Sequence, residues 1–361
     1  MQRRAFLLHT ASLAAALGQP AWAASDTVRI GYQKSSFNLI VLKARGTLEK
    51  RLAAQHVGVR WVEFPAGPQL LEALNVGSID FGMTGDTPPV FAQAAGTHLV
   101  YIGHEPAKPQ ASAILVPQGS PLKSLAELRG KRIAFQRGSS AHYLVLRALA
   151  QAGHTLAEVD VANLAPADAR AAFERGSVDA WAIWDPYYAA AEKALPTRAL
   201  TTGDGLVANH TFYLASRDFA QQRPEIISAL FEELTRNDAL LRQQPGEVAR
   251  ILSDYVGLDV ATFDTVIARR PSFEVRFLDD RVVDAQQHIA DTFFQIGVIP
   301  HAITVRDIVW RPGRRLASTP SALGSADSSR FRLPLLRPEA GGGGPIHTAR
   351  SPEATPQSWS V

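Results

Sequence analysis

The sequence predicts an α/β protein of two lobes with a ligand crevice between them. Short apolar, β-branched runs alternate with segments of helical periodicity. This alternating set occurs twice before the chain turns wholly helical. The 361 residues, 46% hydrophobic and 20% charged, leave room for two domains of about 100–150 residues. Open α/β sheets bind ligands beyond the carboxyl ends of their strands. The strand ends are therefore the positions to inspect.

In the first set, VRIGY (28–32) reads as a strand and residues 36–54 carry helical periodicity. VRWVEF (59–64) is the next strand and residues 69–75 a short helix. Residues 79–83 form a buried strand, followed by a helix that opens on Thr-Pro-Pro. HLVYIGHE (98–105) and SAILVP (112–117) are further strands. Alternation at this spacing predicts βαβ units and a mainly parallel sheet. The second set begins with RIAFQ (132–136), and the helix after it places Leu144, Val145, Ala148 and Leu149 on one face. A strand at 158–164 and a helix at 167–175 follow. DAWAIWD (179–185) is a buried strand, PYYAAAEKAL a helix and HTFYLAS (210–216) a strand. Residues 224–243, 245–256, 260–269 and 279–296 read as helices, each bounded by Gly, Pro or Asp.

The two ends differ from the body. Residues 1–23 join Arg3 and Arg4 to a short apolar run and a small-x-small site at Ala21-Trp22-Ala23. That is a cleaved export signal, far short of the ~20 apolar residues that span a bilayer. The RRAFL order, with an apolar core diluted by His9, Thr10 and Ser12, resembles a twin-arginine signal, and the general secretory route is the alternative. Residues 313–361 hold 6 Pro, 6 Gly and 8 Ser, including the run Gly341 to Gly344. Such a composition is expected to be disordered, because it cannot bury enough apolar surface to offset its ordering entropy.

Formal charge is +3, yet most of the excess sits at the ends. Two arginines lie in residues 1–23, and six face three acids after residue 312. The body then holds 29 basic and 31 acidic residues, which gives no basic surface for nucleic acid. The absence of cysteine excludes disulfides, thiolate nucleophiles and lipid-anchored Cys.

Four strand ends share one pattern. GYQKSSFN (31–38) offers Gln33, Lys34, Ser35 and Ser36 as donors at a helix start. In TGDTPP (84–89), two prolines remove N–H groups, so free donors concentrate at Gly85, Asp86 and Thr87, with hydroxyls at Thr84 and Thr87. QRGSSAHY (136–143) sets Gly138 before Ser139 and Ser140, a cradle for an anion, with His142 in the first turn. AIWDPYY (182–188) brings Trp184, Tyr187 and Tyr188 to one rim, an apolar wall. Each signal also fits a plain helix cap or core packing; the recurrence at one topological place carries the reading. Helix starts hold anions through unpaired N–H groups and the helix dipole.

Catalytic patterns are missing. Ser139, Ser140, His142 and Asp185 do not make a triad, because GxSxG is absent and the serines sit two or three residues before the base on one helix. Neither HExxH nor a GxGxxG after a strand occurs.

GYQK (31–34), GDTPPVFAQAAG (85–96), GSSAHYLVLRAL (138–149) and WDPYYAAAEKAL (184–195) resemble the periplasmic aliphatic-sulfonate-binding proteins of ABC importers. The likeness runs in order from about residue 25 to residue 312. It implies a two-lobed type II periplasmic-binding-protein fold, with lobe one at 26–110 plus 210–312 and lobe two at 111–209. It implies a monomer without cofactor or metal that hands an alkanesulfonate to an inner-membrane permease. By position, Gln33, Thr84, Gly85, Asp86, Thr87, Ser139, Ser140, His142, Trp184 and Asp185 form the expected pocket, with the sulfonate on helix-start N–H groups and hydroxyls. Trp184 and Tyr187 would flank the organic part. Asp86 and Asp185, next to an anion, would act through backbone N–H, cap their helices or meet an amine of the ligand. Taurine, nitrate and thiamine-pyrimidine precursors are the alternative ligands. Regulator effector domains and pyrimidine-synthesising enzymes share the fold. The tail after Pro312 departs from the family.

Overall fold

Among the described residues, ten strands form two five-stranded sheets. The structure, a computed structural model, describes residues 26–270 and 272–313. The export segment read from the sequence at 1–23 lies outside the described residues, as does the tail read at 313–361 apart from Gly313. The first half runs β1 (Asp26–Tyr32), α1 (Phe37–Arg45), α2 (Thr47–Ala53), β2 (Val57–Glu63), α3 (Gly67–Asn75), β3 (Phe81–Gly85), α4 (Thr87–Ala94) and β4 (Leu99–Glu105). Then come β5 (Ser112–Pro117), β6 (Arg132–Phe135), α5 (Ser140–Gln151), β7 (Asp160–Asn163), α6 (Pro166–Glu174), β8 (Ala180–Trp184), α7 (Tyr187–Ala194) and β9 (Thr197–Thr202). The described residues go on to β10 (Thr211–Ser216), α8 (Arg217–Gln222), α9 (Pro224–Gln243), α10 (Pro245–Val256), α11 (Val260–Ala268) and α12 (Asp280–Gln295).

The first sheet has the order β2-β1-β3-β10-β4 and the second β7-β6-β8-β5-β9. The expectation of a mainly parallel sheet needs correction. β1 pairs parallel with β2 and β3, and β6 with β7 and β8. β10 runs antiparallel between β3 and β4, and β5 antiparallel between β8 and β9. The cause is the chain path. β4 ends at Glu105, residues 106–111 cross over, and β5 starts at Ser112 opposite Trp184, the end of β8. On the return, β9 ends at Thr202 and β10 starts at Thr211 opposite Gly85, the end of β3. A strand that enters a sheet at the edge where its neighbours end must run against them.

Alternation along the strands feeds a core on each face. In β10, Tyr213 and Ala215 pack with α1, α9 and α10, while Phe212 and Leu214 pack with α3, α4 and α12. In β5, Ile114 and Val116 join α5, and Ala113 and Leu115 join α6 and α7. The expected single helix over 36–54 is two helices. Gly46 at φ +60° closes α1 by donating its N–H to Leu42 and Lys43 carbonyls, a left-handed position that suits glycine. β9 is absent from the sequence reading, because TRALTT is half-buried along its whole length at a sheet edge and has no apolar run. No helix among the described residues is long and apolar enough to cross a membrane.

Candidate ligand site

The carboxyl ends of β1, β3, β6 and β8 meet at one small cavity of about 40 Å³. Gln33 and Ser35 follow β1; Met83 and Gly85 close β3; Ser139 and Ser140 open α5; Trp184 and Asp185 close β8. Lys108, Ala111 and Asn209 reach the cavity from the crossing segments, Thr211 from the start of β10 and Arg270 from beyond α11.

Of the residues expected there, Gln33, Gly85, Ser139, Ser140, Trp184 and Asp185 line the cavity. Thr84, Asp86, Thr87, His142 and Tyr187 do not, and each has a physical reason. Thr84 lies between Met83 and Gly85, so the two-residue period of β3 turns it from the cavity; its hydroxyl donates to the Gly85 carbonyl. The Thr87 hydroxyl donates to Asp86 Oδ1 at 3.1 Å, and Asp86 is buried against α5 instead. His142 sits in an aromatic box, stacked on Phe135 at 5.2 Å and beside Phe293 at 5.0 Å. Its Nδ1 accepts from the Gly138 N–H, and burial, with Arg137 adding repulsion, drops its pKa to about 4. It is a neutral core histidine. Tyr187 stands behind Trp184 as an edge-to-face partner at 6.4 Å.

The hydroxyls expected to face an anion are engaged elsewhere. Ser139 Oγ donates to the Gln136 carbonyl at 2.7 Å, and Ser140 Oγ donates to Asp86 Oδ1 at 2.7 Å. An alcohol has one proton to give. Gln33 Nε2 donates to the Met83 carbonyl at 2.9 Å. Lys34 turns away, toward the Val256 carbonyl.

Positive charge comes from two residues that sequence reasoning missed. Lys108 is 6% exposed and ties the two crossing segments together. Its Nζ donates to the Asn209 carbonyl at 3.0 Å and to Thr211 Oγ1, while Asn209 Nδ2 donates back to the Lys108 carbonyl. Burial lowers its pKa to about 7, and Arg270 pushes the same way against Glu105 and Asp86. Arg270 pairs with Glu105 Oε2 at 3.2 Å and lies 4.3 Å over the Phe37 ring. Burial is the main force lowering its pKa too. Its Nε is buried with no hydrogen-bond partner among the described residues. Lys108 could have been found, since it follows the end of β4, a strand end like the other four. Arg270 carries no local signal: it follows Arg269 just after α11, away from any strand end.

Polar contacts close the cleft on both sides. Beside the Ser140–Asp86 bond, Gln136 Nε2 donates to Gln69 Oε1 at 2.9 Å. On the far side, Arg269 pairs with Asp185 at 3.2 Å and with Glu192, and lies 3.9 Å over the Tyr188 ring; Lys193 meets Asp259 at 3.1 Å. Burial raises the Asp185 pKa to about 6, against the opposing pull of Arg269 and Arg270. Among the described residues no group of three or more His, Asp or Glu is placed to hold a metal ion.

Two mixed sheets joined by two crossing segments, with a charged cavity where their strand ends meet, define a two-lobed binding-protein fold of the type II periplasmic class. The family described as NMT1/THI5 like matches residues 54–248. Over 287 residues the chain is 45% identical to an Escherichia coli K12 protein named for aliphatic-sulfonate binding, covering 80% of this chain and 89% of that one. The alkanesulfonate-binding protein SsuA from Xanthomonas axonopodis pv. citri, solved bound to MOPS, superposes with a TM-score of 0.76 at 45% identity, over 79% of this chain and 98% of that one. The periplasmic aliphatic sulphonate binding protein SsuA from Escherichia coli gives 0.73 at 43% identity, over 86% and 97%. This chain belongs to the family of periplasmic aliphatic sulfonate-binding proteins. A desulfurization enzyme at 12% identity and a TM-score of 0.61 shares the fold alone, over 80% of this chain and 97% of that one.

Proposed function

We propose that the protein captures alkanesulfonates in the periplasm and delivers them to an ABC importer for sulfur acquisition, acting as a binding protein and not as an enzyme. The observation that carries this reading is the placement of two buried cations, Lys108 and Arg270, in one cavity with the Trp184 ring. A sulfonate spreads one negative charge over three acceptor oxygens. The Arg270 Nε–H and the Lys108 ammonium supply charged donors for them, and Trp184 packs against the organic part. Hydrogen bonds to charged groups contribute about 1.5–3 kcal/mol each, so the two together supply about 3–6 kcal/mol toward binding, beside the apolar contact with Trp184.

In this reading residues 1–23 direct export, residues 26–110 with 210–312 form one lobe and residues 111–209 the other. A monomer then closes on its ligand and presents the closed form to a permease.

A thermal-shift and calorimetry panel of alkanesulfonates, taurine, nitrate, sulfate and thiamine precursors tests the proposal. Ligand at 100 times its Kd adds about 2.7 kcal/mol of stability, a shift of several degrees. A shift with sulfonates and none with the pyrimidines is the expected result. A clear shift with a pyrimidine and none with any sulfonate overturns it.

A further inference from the structure

The same cavity holds an acceptor as well as donors. Asp185 is 1% exposed and lines the cavity. Its Oδ1 accepts from the Ala189 N–H at 3.0 Å and from Arg269 Nη1 at 3.2 Å. Its Oδ2 is buried and has no hydrogen-bond partner among the described residues. Arg270, which lines the same cavity, carries a buried Nε donor likewise without a partner among the described residues. Buried polar atoms in folded proteins are nearly always paired, and those that are not call for an explanation such as a ligand.

We infer that Asp185 Oδ2 accepts a hydrogen bond from the organic part of the ligand, so that the site favours short sulfonates bearing an O–H or N–H donor over plain alkanesulfonates. The inference rests on the proposed sulfonate site. A plain alkanesulfonate offers acceptors to Arg270 but leaves Oδ2 desolvated and unpaired. A hydroxyl or ammonium on the chain answers both demands. Sites built to hydrogen-bond a ligand donor discriminate strongly against analogues that lack it, because their own polar atom is then stranded. The small cavity points to a chain of a few atoms between the two groups.

Calorimetry on the full chain with ethanesulfonate, 2-hydroxyethanesulfonate and 2-aminoethanesulfonate tests this. At least one donor-bearing ligand should bind tenfold or more tighter than ethanesulfonate. In Asp185→Asn the preference should fall below threefold, with circular dichroism checking the fold. If that variant fails to fold, the wild-type series still decides. Affinities within threefold for all three ligands overturn the inference and leave the sulfonate site standing. A preference that survives intact in Asp185→Asn overturns the assignment to Asp185. No binding of any sulfonate, beside binding of nitrate or a pyrimidine, removes the underlying site instead.

Discussion

Ser140 Oγ donates a 2.7 Å hydrogen bond to Asp86 Oδ1, joining the start of α5 in one half of the molecule to the residue before α4 in the other. Two strand ends that looked like independent anion cradles are thus partners across the cleft. The bond exists only when the halves are together. A hydrogen bond to a charged group is worth about 1.5–3 kcal/mol, so its loss acts on the closed form alone.

Ser140→Ala should therefore weaken ligand binding by about tenfold, or about 1.4 kcal/mol. Calorimetry reads the affinity, and small-angle scattering of the free protein should report a larger radius of gyration. Unchanged values in both would show that the bond does not help hold the cleft closed.

Gly85 faces the same contact from the strand side. A Cβ built there would run into Ser140 Oγ, with nothing else within 4 Å beyond Ser140 Cβ. Gly85→Ala should leave each half folded and hold the cleft open, with an affinity loss at least as large as that of Ser140→Ala. The double variant Gly85→Ala with Ser140→Ala should recover part of the loss, since the oxygen that clashes is gone. Equal affinities in the single and double variants would refute the steric account.

Lys108 makes binding depend on pH. An anion favours the ammonium form, and with a pKa of about 7 the free site loses that form as pH rises through neutrality. Affinity should fall between about pH 7 and 9, and binding near pH 7.5 should take up protons. Calorimetry in buffers of differing ionisation enthalpy measures that uptake. Lys108→Met should bind at least tenfold more weakly and lose the proton uptake. Uptake persisting in the variant would point to another group.

His142 governs acid stability rather than affinity. Its folded pKa is about 4, against an ordinary value near 6.5. Between those values the unfolded chain binds a proton that the folded chain excludes. Stability is therefore unaffected by this group above 6.5 and falls as pH drops from there to 4. Melting temperatures measured across that window should show a smaller decline in His142→Asn, whose affinity at pH 7.5 should match the wild type. A large loss of affinity would return His142 to the binding site.

Most of the helices and strands were legible in the chain. The starts of α4 and α5 and the end of β8 fall within a residue of where the prolines, Gly138 and the apolar run place them, while β3 runs on to Gly85, two residues past the expected Met83. These are local matters, decided by backbone geometry and by which N–H groups lack a helical partner. The same patterns placed Gln33, Ser139, Ser140, Trp184 and Asp185 at one cavity.

Tertiary structure alone decided how charge is arranged there. Lys108 is 75 residues from Gln33, and Arg270 lies 162 residues beyond Lys108; only the crossing segments and the α11 end bring them together. It also set the hydroxyls of Ser140 and Thr87 on Asp86 and left Asp185 Oδ2 without a hydrogen-bond partner among the described residues. A sequence pattern states which groups a residue carries. Whether a charge is buried, and which neighbour takes a hydroxyl proton, depends on distances of a few ångströms between segments remote in the chain. Those distances are fixed when the two sheets come together.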